Sequence, residues 1–213
     1  AIPIISELLD WTSTIVIGPG LGLNDDTRKA FVEILKKIGA KKIPSVIDAD
    51  GLKLLAGSES LLREMDTVLT PHMGEFKILT GSDIADKDQF EEAMRTVSKE
   101  AKKLGATLLL KLANGVAIVS DGKRTKINFT GNAGMANGGI GDVLSGIVAT
   151  FLSWSKTTFD AASAAAFVCG KAGDIAFTKS GNSITPMDII EDIGEATSAF
   201  GTSEKWNSRN AKQ

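Results

Sequence analysis

Asn132-Ala133-Gly134-Met135-Ala136-Asn137-Gly138-Gly139-Ile140-Gly141-Asp142-Val143-Leu144 is the stretch on which the reading turns. Five glycines fall within Gly131–Gly141, and apolar spacing resumes at Val143 to give a helix over Asp142–Trp154. A glycine run that opens a helix lets a ligand approach closely and turns first-turn N–H groups toward one point. That point lies at the positive end of the helix dipole, which suits an anion. Asp142 has two readings there. As a cap it satisfies backbone donors, worth about 1 kcal/mol. As a general base it takes a proton from an attacking hydroxyl while adjacent amides stabilise a transferring phosphoryl group. The run is not a Walker loop, because no Gly-Lys-Ser/Thr follows, and it does not directly follow the first strand as a dinucleotide fingerprint would.

Upstream, strands alternate with helices. Thr14–Ile17 is a β-branched strand ending in Gly18-Pro19-Gly20-Leu21-Gly22. Asn24, Asp25 and Asp26 are cap candidates for a helix carrying Phe31, Ile34, Leu35 and Ile38, stopped at Gly39. Ser45–Ile47 is a second strand, closing on Asp48-Ala49-Asp50-Gly51, with a short helix over Leu52–Ala56. Thr67–Thr70 is a third, ending at Pro71-His72-Met73-Gly74-Glu75. A long helix with Phe90, Ala93, Met94, Val97, Ala101 and Leu104 on one face follows. Thr107–Lys111 is a fourth strand, and Asp121-Gly122 marks a hairpin between Val116–Val119 and Thr125–Phe129. Downstream come an alanine-rich helix near Phe159–Lys179 and another over Pro186–Thr197. The pattern predicts a three-layer α/β/α domain on a mostly parallel sheet, with ligands beyond the carboxyl ends of the strands. One domain spans 1–199, and 200–213 is a polar tail, frayed over Lys205–Gln213.

Bulk properties narrow the classes. The 213 residues carry 24 basic and 26 acidic side chains, a net charge of −2, so no basic surface for nucleic acid is indicated. Apolar runs such as Ala161–Cys169 are shorter than the ~20 residues of a membrane span. Cys169, the only cysteine, sits among Ala165, Ala166, Phe167 and Val168 and reads as a small buried hydrophobe. No signal peptide is visible in Ala1–Asp10, and a reducing cytoplasm is the expected compartment.

Four motifs, in order and spacing, resemble the ADP- or ATP-dependent NAD(P)H-hydrate dehydratase branch of the ribokinase-like superfamily. They are Ile17–Gly22, Ile47–Gly51, Leu69–Phe76 and Gly131–Leu144, and the likeness runs from about Thr14 to Thr197. The resemblance implies a ribokinase-like fold and a repair reaction. Water added to the nicotinamide ring of NADH or NADPH is phosphorylated by ADP or ATP with Mg²⁺, and phosphate then leaves. It implies Asp142 as base and hydrate contact, with Gly139 and Gly141 in the catalytic anion hole. It implies nucleotide contacts from Lys111, Leu112, Ala113, Asn114, Gly115, Asn132, Gly134, Met135, Ala136, Asn137, Gly138, Gly139, Ile140 and Gly141. Gly20, Gly22, Asp48, Asp50, His72, Gly74 and Glu75 would join Asp142 on the hydrate side. No resident metal site and no nucleic-acid or membrane partner is implied; a homo-oligomer, often a tetramer, is. The chain departs from the family by lacking the portion usual before Gly18, by Asn137 and Ile140 where threonines are frequent, and by Leu112 in place of glycine.

Single residues keep a plainer reading beside these. His72, the only histidine, either contacts ligand or caps the next helix through Nδ1. Glu75 either attracts Mg²⁺ through water or is a solvated first-turn carboxylate. Asp48 and Asp50 either bind ligand or cap turns. Lys111 brings its ammonium to the ligand edge. Trp11, Trp154 and the phenylalanines read as core or interface. Lys99, Lys102 and Lys103 with Glu91, Glu92 and Glu100 read as the wet face of a helix. Two other functions share Asp142 and its loop: a kinase of a small alcohol such as a hydroxyethylthiazole or hydroxymethylpyrimidine, and a nucleotide-binding module without catalysis.

Overall fold

The computed structural model describes residues 2–84 and 90–198; the tail read over 200–213 lies outside them. In chain order come α1 (Ile2–Leu8), β1 (Ile15–Ile17), α2 (Asp25–Lys41), β2 (Ser45–Ile47), α3 (Asp50–Leu55), β3 (Thr67–Leu69) and α4 (Met73–Thr80). Then follow α5 (Phe90–Leu104), β4 (Thr107–Lys111), β5 (Ala117–Ser120), β6 (Thr125–Asn128), α6 (Ile140–Trp154), α7 (Thr158–Ser180) and α8 (Pro186–Ser198). Among the described residues the strands form one six-stranded sheet in sequential order, β1-β2-β3-β4-β5-β6. The first four are parallel, and β5 and β6 are an antiparallel hairpin closed by Asp121–Arg124.

Alternation along the strands sorts the core into two layers. Ile17, Ile47, Leu69, Leu108, Leu110 and Ile118 face one side, where α2 to α5 pack with the fully buried Phe31 and Phe76. Val46, Val68, Leu109, Ala117 and Val119 face the other, under α6, α7 and α8. Side chains on a strand alternate faces with a period of two, so each parallel strand is apolar on both sides and reads as a continuous run. Crossovers between the parallel strands cover the first face, and one contiguous segment after β6 covers the second. That segment delivers the glycine-rich loop to the edge where β1 to β4 end.

Several expectations change. Helix α2 runs through Gly39 to Lys41 and closes at Lys42, whose φ of 55° is left-handed. A β-carbon on Gly39 would lie 3.3 Å from Met65 Cγ, so the glycine makes room for Met65 instead of ending the helix. The stretch after His72 divides into two helices, α4 and α5, where one long helix was expected. Glu100, assigned to a wet face, is buried, with Oε1 accepting from Ser82 Oγ at 3.0 Å. Trp11 is 92% exposed and Trp154 65%, so neither is core. Trp11 precedes the edge strand β1, and Trp154 ends α6 beyond its packed layer.

Candidate functional site

The helix that Gly138-Gly139-Ile140-Gly141-Asp142 opens begins at Ile140. Gly139 is its N-cap, with φ of 91°, a conformation that costs an L side chain energy and glycine little. No side chain caps this helix. Ile140 N donates weakly to Asn137 O at 3.4 Å and Val143 N to Gly139 O at 3.2 Å, which leaves the Gly141 and Asp142 N–H groups without a protein acceptor among the described residues. Asp142 is exposed and its carboxylate makes no hydrogen bond or ion pair among the described residues. The capping reading of Asp142 is therefore not what the structure shows: the helix start holds two free amides and a free carboxylate side by side.

The loop leading in is held from behind. Asp174 on α7 accepts from Gly131 N at 3.2 Å and Asn132 Nδ2 at 3.1 Å. Asn132 Oδ1 accepts from Gly134 N, and Asn137 Nδ2 donates to Gly134 O and Ile184 O. Of the three asparagines expected to contact nucleotide, Asn132 and Asn137 thus spend their amide groups on the loop, on α7 and on Ile184 O. Ile140, at a frequent threonine position, is a buried core residue.

A cleft of about 160 Å³ lies beside this helix start. Nine of the residues expected to hold nucleotide line it: Lys111, Leu112, Ala113, Asn114, Gly115, Met135, Ala136, Ile140 and Gly141. Asn132, Gly134, Asn137, Gly138 and Gly139 are not among its walls. The sequence reading missed the rest of the lining: Leu109, Val116, Ala117, Leu144, and the α7 residues Ala166, Cys169 and Gly170. The signal for the last three was present as small residues at helical spacing, since a β-carbon on Gly170 would come within 2.3 Å of Thr130 Oγ1. Small side chains mark a helix face that a loop approaches closely. Cys169 is buried as expected, and burial pushes its thiol up to about 12, partly offset by the Lys111 charge.

Beneath Gly141 the ends of three parallel strands carry a buried polar cluster. Lys111 Nζ donates to Asp48 Oδ1 at 3.1 Å; Ser145 Oγ, on α6, donates to Asp48 Oδ2 at 2.7 Å. Ala49 N donates to Asp48 Oδ1 at 2.8 Å, and Thr70 Oγ1 lies 3.5 Å from Ser145 Oγ. The Asp48 side chain is 2% exposed and that of Lys111 24%. Asp48 is thus a buried counter-ion and not an exposed ligand, and Lys111 alone of the pair also lines the cleft. Ala49 carries a φ of 51° with ψ of −124°, a sparsely populated conformation for a residue with a side chain, of the kind that collects at working sites.

The remaining turns satisfy themselves. Gly22 N donates to Asp50 Oδ2 at 3.0 Å, and Lys53 Nζ pairs with Asp50 Oδ1 at 3.3 Å. A β-carbon on Gly18, φ 135°, would lie 1.8 Å from Asp48 O, so this turn is pressed against the next. Gly20 faces open space. His72 caps α4: Nδ1 accepts from Gly74 N at 3.0 Å and Glu75 N at 3.3 Å, and Glu75 Oε2 accepts from His72 N at 3.0 Å. This is a capping box. Glu75 is 5% exposed, so the solvated-carboxylate reading gives way to a buried one; Nε2 of the exposed His72 ring lies 3.5 Å from Glu75 Oε1.

Comparison with known proteins bears on the family and the fold. A family model described as NAD(P)H-hydrate dehydratase matches residues 3–195. A bifunctional NAD(P)H-hydrate repair enzyme of Hyperthermus butylicus is 41% identical over 194 residues, covering 90% of this chain and 36% of that protein. An ADP-dependent (S)-NAD(P)H-hydrate dehydratase of Nitrosopumilus maritimus is 34% identical over 181 residues, covering 85% of this chain and 61% of that one. The chain therefore spans between about a third and three fifths of the length of these relatives. A ribokinase-like superfamily protein of Enterococcus faecalis superposes with a TM-score of 0.76 at 26% identity, covering 94% of this chain and 68% of its own.

Proposed function

The chain belongs to the NAD(P)H-hydrate dehydratase family, and from that premise we propose that it uses ADP or ATP to dehydrate the hydrates of NADH and NADPH. The observation that carries the reading is the start of α6, where the Gly141 and Asp142 amides and the exposed Asp142 carboxylate have no protein partner among the described residues, and where Gly141, the residue before Asp142, lines the cleft. Asp142 takes the proton of the hydrate hydroxyl as its oxygen attacks the terminal phosphorus, and the bond to the leaving AMP or ADP breaks. The two amides and the Lys111 ammonium stabilise charge on the moving phosphoryl group. The C–O bond then breaks with the ring-nitrogen lone pair supplying electrons, phosphate departs, and loss of a ring proton restores the dihydropyridine. Hydroxide leaves poorly and phosphate leaves well, which is why the nucleotide is consumed.

The name of the Nitrosopumilus relative supports ADP as the nucleotide. Among the described residues no three His, Cys, Asp or Glu side chains gather as a metal site. Mg²⁺ would enter as the counter-ion of the nucleotide phosphates, held mainly by their oxygens and by water, with Asp142 left to act as the base. When bound it neutralises phosphate charge.

The test is to incubate NADH hydrate or NADPH hydrate with the protein, ADP or ATP, and Mg²⁺. Return of the dihydropyridine absorbance with release of inorganic phosphate is expected. A stable phosphorylated product would favour the small-alcohol kinase reading. Nucleotide binding without turnover would favour the non-catalytic module.

A further inference from the structure

The cluster under Gly141 contains more donors to Asp48 than a lysine counter-ion alone requires. A buried carboxylate is costly unless each oxygen is satisfied, and losing one partner exposes the full desolvation cost of what remains. Asp48 Oδ1 is shared by Lys111 Nζ and Ala49 N, and Oδ2 belongs to Ser145 Oγ. Lys111 is also the member of the cluster that reaches a ligand, because it lines the cleft and lies where a β-carbon on Gly141 would be 3.3 Å from its Nζ. An arriving phosphate therefore competes with Asp48 for one ammonium.

We propose that Ser145 is a positioning residue that sets this competition. By holding Asp48 Oδ2, with Ala49 N on Oδ1, it keeps the carboxylate satisfied while Lys111 turns toward the terminal phosphate of the nucleotide. Ser145 lies one turn after Asp142 on the same helix and is fully buried, so the same contact also fixes the start of α6 over the ends of β2, β3 and β4. Without the serine hydroxyl, Asp48 Oδ2 has no donor and the carboxylate draws the ammonium back from the cleft. Without the Asp48 charge there is no competition, and the serine no longer matters to phosphate. This inference rests on the nucleotide site proposed above.

Calorimetric titration of ADP, and separately ATP, into the wild type, Ser145→Ala, Asp48→Asn and the double variant tests it, with thermal melting as the check on folding. Ser145→Ala is expected to weaken nucleotide binding by roughly threefold to tenfold, the span of an ordinary hydrogen bond's net contribution, because the serine acts on the phosphate only through Lys111. Asp48→Asn leaves it unchanged or tighter, and Ser145→Ala added to Asp48→Asn has no further effect, a coupling that a double-mutant cycle isolates. Equal weakening by Ser145→Ala in both backgrounds, or weaker binding in Asp48→Asn, overturns the proposal, as does a lower melting temperature in Ser145→Ala with nucleotide affinity unmoved. Should the wild type bind neither nucleotide, the site itself is refuted and this inference falls with it; binding without the coupling refutes only the role of Ser145.

Discussion

The carboxyl edge of the sheet carries two kinds of glycine turn, and they use glycine for opposite ends. In the turns after β1, β2 and β3 the polar groups answer one another, and Gly18 lets backbone press on backbone, 1.8 Å from Asp48 O for any β-carbon. Gly22 meets Asp50, and His72 meets Glu75. At the start of α6 the glycines leave groups unanswered: two amides and one carboxylate with no protein partner among the described residues. The first N–H groups of a helix have no partner within it, and here they lie exposed next to a cleft-lining glycine with no side chain to cap them. One kind of turn is closed by folding; the other is, in our proposal, completed by binding.

The largest effect that would sharpen this contrast is at Asp142. Asp142→Asn should lower turnover by about 10²–10⁴-fold, the span of general-base catalysis, with nucleotide affinity and melting temperature preserved. Persisting turnover would remove the base from this position. Gly18 and Gly141 then test the two kinds of glycine against each other. Gly18→Ala should destabilise by about 3 kcal/mol or more, seen in chemical denaturation, because its neighbour is rigid backbone and its φ is positive. Gly141→Ala should leave stability nearly unchanged and weaken nucleotide binding by about tenfold, because its β-carbon meets the tip of Lys111 at 3.3 Å and Asp48 Oδ2 at an ordinary 3.7 Å, with no backbone in the way. If the two variants lose the same property, the division between the turns is wrong.

Smaller still is His72→Ala, which removes a cap worth about 1 kcal/mol. A large loss of turnover with unchanged stability would instead make the ring a substrate contact. The last effect, confined to alkaline pH, concerns the cleft wall. Burial raises the Cys169 thiol from 9.0 to about 12 in the fold. The folded state therefore holds a proton that the unfolded chain releases, so this stabilising contribution is complete below pH 9 and is lost as pH rises toward 12. Melting temperature between those values should fall more steeply for the wild type than for Cys169→Ala; parallel curves would place the thiol nearer solvent.

Much of this was legible in residues alone, for physical reasons that can be named. β2 and β4 match their expected bounds, since short β-branched and leucine runs buried on both faces admit few other registers. Asn24 caps α2 as read, with its side chain accepting from Thr27 N at 2.8 Å. Gly39 misled because a glycine in a helix was taken for a stop, whereas its place was set by Met65 packing across from it. The nucleotide side was half legible. Motif spacing found the loop and the β4 end, but the α7 wall of Ala166, Cys169 and Gly170 arrives from a segment remote in sequence. The polar cluster joining Asp48, Lys111 and Ser145 spans separations of 63 and 97 residues, and no local pattern encodes such a contact.

The proposed reaction requires the terminal phosphate to come to rest at the start of α6. A crystal structure with ADP or ATP bound should place its oxygens about 2.7–3.2 Å from the Gly141 and Asp142 amide nitrogens, ordinary hydrogen-bond distance, with the Lys111 ammonium alongside. A nucleotide whose terminal phosphate sits away from the start of α6, with those two amides still facing water, would contradict it.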